Sequence, residues 1–126
     1  MKPSKPCPEM DFGSPAFEAL IEQQVLLLKA LANKNRLKII YLLRRGDSVP
    51  LAVIREQLDI SKAHLSQQVS ELRKAGIVST SHQGRNVLVR LVDPSLVDAC
   101  GIVRDSIRKH LQKQMETLLP QSGEGV

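Results

Sequence analysis

The chain has 126 residues, 42% of them hydrophobic, enough for one compact domain and too few for an enzyme with a separate substrate domain. No stretch approaches the roughly 20 apolar residues that span a bilayer, and the opening Met1-Lys2-Pro3-Ser4-Lys5 lacks the apolar core of a secretory signal. A cytoplasmic protein with no membrane partner is expected. The net charge is +5 but unevenly placed: residues 29–92 hold 12 Lys/Arg against 4 Asp/Glu, and both flanks are weakly acidic. Such a basic block suits either a phosphate-binding module between separately packed terminal helices or a plain solvated cationic face. Only Phe12, Phe17 and Tyr41 are aromatic, too few for the stacking platforms of single-strand and RNA binders, so double-stranded DNA is the favoured polyanion.

Residues 1–13 contain three of the seven prolines and Gly13, and read as a flexible N-terminal arm. Ser14 suits a helix cap and Pro15 the first helical position. Phe17, Leu20, Ile21, Val25, Leu27, Leu28 and Leu31 then make a broad apolar stripe, which predicts a first helix over 15–31. Asn33 caps a second helix, whose run from Leu37 through Ile39, Ile40, Tyr41, Leu42 and Leu43 is apolar on most sides and ends at Arg44-Arg45-Gly46. Its first turn carries Lys34, Asn35, Arg36 and Lys38, placed either to lie along a DNA backbone or to solvate the helix end. Pro50 opens a third helix, 50–58, with Leu51, Ile54 and Leu58 at core spacing.

Asp59-Ile60-Ser61 is too short to be anything but a turn, and Ser61 caps a fourth helix whose inward stripe is Leu65, Val69 and Leu72. Two short helices joined this tightly, the second leading into a hairpin, spell a winged helix-turn-helix. At about 100° per residue from Leu65, the outward face carries Lys62, Ala63, Ser66, Gln67 and Ser70. Small hydroxyls, amides able to bond adenine and a basic group near the N-terminus are what base reading in a major groove needs. The candidate DNA contacts are therefore Ser61, Lys62, Ala63, His64, Ser66, Gln67, Gln68 and Ser70, joined by Lys34 and Arg36.

In the hairpin, Val78, Thr80 and His82 alternate with Ser79 and Ser81, the turn is Gln83-Gly84-Arg85, and the return strand is 86–92. Arg85 at the tip completes the candidate DNA contacts, with a solvated turn residue as the plainer reading. Asp93-Pro94 then starts a fifth helix running to about Leu119, with a stripe of Leu96, Cys100, Val103, Ile107, Leu111, Met115 and Leu118. That stripe exceeds what a small domain needs for its own core, and it predicts a homodimer through the first and fifth helices, built on Phe17, Leu20, Leu96, Cys100, Val103, Ile107 and Leu111. The expected layout is a mainly α domain with a small β-hairpin over 14–119, between the arm and a flexible tail at 120–126.

This order of elements, with the segments Leu28–Ile40 and Ile60–Val78, resembles the ArsR/SmtB family of bacterial winged-helix repressors over residues 17–112. The resemblance implies a homodimer on operator DNA that leaves when an effector binds. Where the family usually has Arg and His in its reading helix, this chain has Gln67 and Gln68, so its operator is expected to differ. The cysteine pair of metal-sensing members is replaced by Pro50 and Ala52, and their second site leaves only Asp93 beside Ser95, Ser106 and Lys109. No metal and no cofactor are expected. Thiol-sensing relatives pair cysteines on the second and fifth helices, and Tyr41 occupies the former position here.

Cys7 and Cys100 are the two cysteines, too far apart for a CxxC motif. Cys100 on the apolar seam reads as a small buried hydrophobe; alternatively it joins Cys7 across protomers to sense oxidant, reactive sulfur or arsenite. No Ser/His/Asp set, glycine-rich phosphate loop or carboxylate pair stands out, so no catalytic residue is expected. A winged-helix protein-interaction module without DNA binding is the other alternative; it would retain the helical seam and have no use for the basic middle.

Overall fold

The computed structural model describes residues 11–118. Five helices and three strands follow in chain order: α1 (Pro15–Leu31), α2 (Lys34–Leu42), β1 (Val49–Pro50), α3 (Leu51–Leu58), α4 (Lys62–Lys74), β2 (Val78–Gln83), β3 (Asn86–Leu91) and α5 (Ser95–Leu118). They are arranged as a winged helix-turn-helix. The described residues form two units that divide between Val92 and Asp93, the first holding α1 to β3 and the second α5.

Three helix starts rest on the caps expected of them. Ser14 Oγ accepts from the Phe17 amide at 3.1 Å, Asn33 Oδ1 from Arg36 at 3.0 Å and Ser61 Oγ from His64 at 3.1 Å. Each satisfies one amide that a helix N-terminus otherwise leaves without a partner. α3 ends differently. Asp59 closes it in the left-handed conformation, φ 53°, and its amide bonds the Arg55 carbonyl at 2.9 Å, reversing the chain within three residues. Aspartate tolerates this region better than most L-residues because its short polar side chain bonds locally.

The end of α4 sets the wing. The Ile77 amide bonds the Leu72 carbonyl and the Gly76 amide the Arg73 carbonyl, both at 3.0 Å, with Gly76 at φ 76°. This is a Schellman closure with apolar residues at the two positions that flank it, Leu72 and Ile77, both buried. The chain leaves it directly into β2. The β2–β3 pair runs antiparallel in register Val78↔Leu91 to Gln83↔Asn86, and the two-residue connection has a positive φ only at Gly84, 63°, the pattern of a type II′ turn.

Two details depart from the sequence expectation. The hairpin gains a third strand, in the order β1-β3-β2, because Val49 and Pro50 pair with Val89 and Leu88. Pro50 accordingly precedes α3 and does not form its first turn. Proline has no amide to give a ladder, so it is tolerated only at an edge such as this. The core of the first unit is Leu31, Ile39, Ile40, Leu43, Ile54, Leu65, Val69, Leu72, Ile77, Val78, Val89 and Leu91, drawn from α1 to α4 and the sheet. α5 has no buried residue; Val103, Ile107, Leu111, Met115 and Leu118 are each more than half exposed.

Leu72→Ala, which removes a fully buried side chain from α4, should lower unfolding free energy by about 3 kcal/mol in chemical denaturation. At the tight turn, Asp59→Gly should be close to neutral, whereas Asp59→Val, a β-branched residue forced into the left-handed region, should cost about 1–2 kcal/mol. Equal effects of the two Asp59 changes would show that the turn is not strained.

Candidate nucleic-acid interface

α4 has to bury one side and offer the other. Its 13 residues place Leu65, Gln68, Val69 and Leu72 inward and leave Lys62, Ala63, His64, Ser66 and Gln67 exposed, with Ser70 half-exposed at the margin. Ser61, the cap, is exposed at the helix start. The outward face is thus small, hydroxyl-bearing or amide-bearing along its first two turns. A side chain there can approach a base edge without a bulky neighbour holding the helix away.

The turn before α4 and the wing after it are tied to the helix by arginines. Arg55 on α3 donates from Nε to the Ile60 carbonyl at 3.3 Å, bracing the turn. Arg73, near the end of α4, donates from Nη1 to Thr80 Oγ1 on β2 at 3.3 Å, bracing the wing. Between these braces lies an open cleft of about 290 Å³, lined by Pro50, Leu51, Ala52, Arg55, Lys62, Leu65, Arg85, Asn86 and Val87. Three cations from three elements, Arg55, Lys62 and Arg85, border it and no carboxylate does. An apolar floor with an unopposed cationic rim is complementary to a sugar–phosphate backbone.

Of the sequence-derived residues, the structure brings Lys62 and Arg85 to one cleft and keeps Ser61, Ala63, His64, Ser66, Gln67 and Ser70 on the open side of α4. Lys34 is exposed in the first turn of α2. Two assignments are corrected. Gln68 is only 6% exposed, because at about 100° per residue it falls about 60° from Leu65 and about 40° from Leu72, at the edge of the inner face. Its Oε1 accepts from Arg36 Nη1 at 2.8 Å, and Arg36 Nε donates to the Ala30 carbonyl. Arg36 therefore spans α1, α2 and α4 and does not lie free along a backbone. Arg55, which the sequence reading did not single out, borders the same cleft; it stands as a lone cation seven positions before Lys62 across the turn.

Cys7 lies outside the described residues, and Cys100 is half-buried on α5, where burial pushes its thiol up from the usual value. That shift lowers the thiolate fraction at neutral pH, opposite to the direction of an activated cysteine. Asp93 is accounted for locally: its Oδ1 accepts from the Ser95 amide at 3.0 Å and from Ser95 Oγ at 2.8 Å, and these bonds hold the carboxyl below its usual range. Among the described residues, no group of three or more His, Cys, Asp or Glu is placed to hold a metal ion. No helix among them is long and apolar enough to cross a membrane.

A capped reading helix behind a tight turn, with a cation-tipped wing beside it, defines the winged helix-turn-helix class of regulator. A family profile described as a helix-turn-helix domain matches residues 31–80. The biofilm growth-associated repressor of Agrobacterium fabrum is 34% identical over 87 residues, covering 67% of this chain and 74% of the relative. Among solved structures, reduced HlyU from Vibrio cholerae superposes with a TM-score of 0.64 at 27% identity, covering 71% of this chain and 94% of that one. The homodimeric winged helix-turn-helix DNA-binding domain from Mycobacterium bovis, described as a possible ArsR-family regulator, gives 0.68 at 26% identity, covering 78% and 90%. The chain belongs to the ArsR-type family of winged helix-turn-helix transcriptional regulators.

With Cys7 replaced by serine, Cys100 should be alkylated by iodoacetamide more slowly at neutral pH than a small free thiol, and its half-maximal rate should fall at higher pH. A faster reaction than the free thiol would reverse the assignment of Cys100 as an unactivated residue.

Proposed function

We propose that this protein acts as a homodimeric repressor that binds a palindromic operator in double-stranded DNA and is released by an effector. The observation that carries the reading is the junction of the outward Ser66-Gln67 face of α4, with half-exposed Ser70 at its margin, and the carboxylate-free cleft of Arg55, Lys62 and Arg85. Hydroxyls and amides would meet base edges, with Gln67 suited to the paired donor and acceptor of adenine. Lys62, Arg85 and Arg55 would neutralise phosphates along the cleft beside the helix, and Lys34 would add a contact from α2.

The dimer is proposed on two supports. Apolar side chains are exposed on α1, at Leu20, Ile21, Val25 and Leu28, and along α5 from Val103 to Leu118. Faces of this length are rarely left to water in a monomer. The Mycobacterium bovis relative, moreover, is homodimeric. A two-fold axis presents two copies of α4 to two half-sites, which is why the operator should be a palindrome. Phe17, Leu96 and Cys100, half-buried beside those faces, would complete the seam.

The test is fluorescence anisotropy with duplexes enriched from a randomised pool, followed across salt concentrations. Affinity should fall steeply with salt, and Arg85→Ala should weaken all duplexes alike and reduce the salt slope by about one per half-site. Gln67→Ala should instead relax preference at one base position per half-site, by about 1–3 kcal/mol. In sedimentation, Ile107→Asp with Leu111→Asp should shift the protein to monomer and abolish tight binding to the palindrome. Salt-insensitive binding, or none, would favour a protein-interaction role for the fold instead.

A further inference from the structure

Apolar packing and hydrogen bonding constrain α4 differently. Leu65, Val69 and Leu72 hold it against the core, but apolar contact is non-directional and leaves the helix a range of rotations about its axis. The single polar residue on its buried face is Gln68, and the bond from Arg36 Nη1 at 2.8 Å is directional. Arg36 is itself anchored at two further points. Its backbone amide is fixed by Asn33 at 3.0 Å, and Nε donates to the Ala30 carbonyl in the last turn of α1, one of the four carbonyls a helix C-terminus leaves without an intrahelical partner. An Arg fork can serve two acceptors in different directions at once; a lysine ammonium on a flexible stem does so less rigidly.

We propose that Arg36 is a positioning residue for sequence reading: by bridging the Ala30 carbonyl at the end of α1 and the Gln68 amide on α4, it sets the rotation of the reading helix. The inference rests on the DNA-reading role of α4. Gln68 is the immediate neighbour of Gln67, so the bond that locates one amide on the inner face locates the other on the outer face. With side chains about 5–6 Å from the helix axis, a rotation of about 20° displaces their tips by about 2 Å, more than a base-edge hydrogen bond tolerates. The bridge also links the reading helix to α1, one of the two helices of the proposed dimer seam, so that half-site reading and subunit pairing share one structural tie.

A phosphate contact and a positioning bridge predict different measurements. The full-length chain is compared with Arg36→Met, Gln68→Met, the double variant and Gln68→Glu, on a duplex enriched from a randomised pool by the wild type and on a shuffled duplex of equal length. Under the proposal each Met variant lowers the ratio of the two affinities about ten-fold while the salt slope is unchanged. The double variant is no worse than either single, since both remove the same bond. Gln68→Glu, which keeps an acceptor facing the guanidinium, retains most of the ratio. Circular dichroism melts accompany every variant, and if Arg36→Met does not fold, Arg36→Lys takes its place with a smaller loss of ratio.

An unchanged ratio in folded variants would overturn the bridge. So would a salt slope reduced by about one with all duplexes weakened alike, because that is a direct phosphate contact. If the wild type enriches no sequence at all, the DNA-reading role has failed and the bridge falls with it; if it enriches one that the variants read equally well, only the bridge fails.

Discussion

Everything in the first unit turns on the rotation of α4. A helix of 13 residues has to supply four side chains to the core and, on the opposite side, an exposed run of small and amide residues. The two sets interleave along the sequence at helical spacing, so neither can move without the other. Leu65, Val69 and Leu72 contribute the burial that stabilises the fold, and the same burial decides that Ser66 and Gln67 face outward.

The surrounding elements read as devices that preserve this setting. The Ser61 cap and the left-handed Asp59 deliver the chain to the start of α4 at a defined point. The Schellman closure at Gly76 sends it into β2 without a loop, so the wing inherits its direction from the helix end. Arg73 on Thr80 and Arg55 on the Ile60 carbonyl brace the two junctions. Such partly exposed bonds contribute little stability each, but they limit how far turn, helix and wing can shift against one another. The cleft of Arg55, Lys62 and Arg85 lies where α3, the start of α4 and the tip of the wing meet.

α5 follows a different logic. Its stripe from Leu96 to Leu118 is as regular as that of α4, yet within the described residues it has no buried member. A chain of this composition does not gain by holding five large apolar residues in water, and a second copy with the same face offers a self-complementary cover. Cys100 sits on that stripe and is shifted away from reactivity, in keeping with a packing residue.

Much of this was legible in the sequence because it depends on local patterns. Caps at Ser14, Asn33 and Ser61, the turn at Asp59, the glycine at 76 and the period of each apolar stripe act over three to seven residues, where one-dimensional spacing and three-dimensional proximity coincide. β1 escaped because two residues show no alternation and its partner β3 lies almost 40 positions away. Arg36 and Gln68 were misplaced for the same reason: both are polar and stand among exposed polar neighbours in sequence, and only the packing of α1, α2 and α4 brings them together across 32 positions. The sequence by itself determined the five helices, the hairpin, their order and the basic middle of the chain. Which polar side chains of α4 and its neighbours are held inside, and which are left on the open face, was decided only by the tertiary structure, because a hydrogen bond between distant helices has no spacing that a linear chain records.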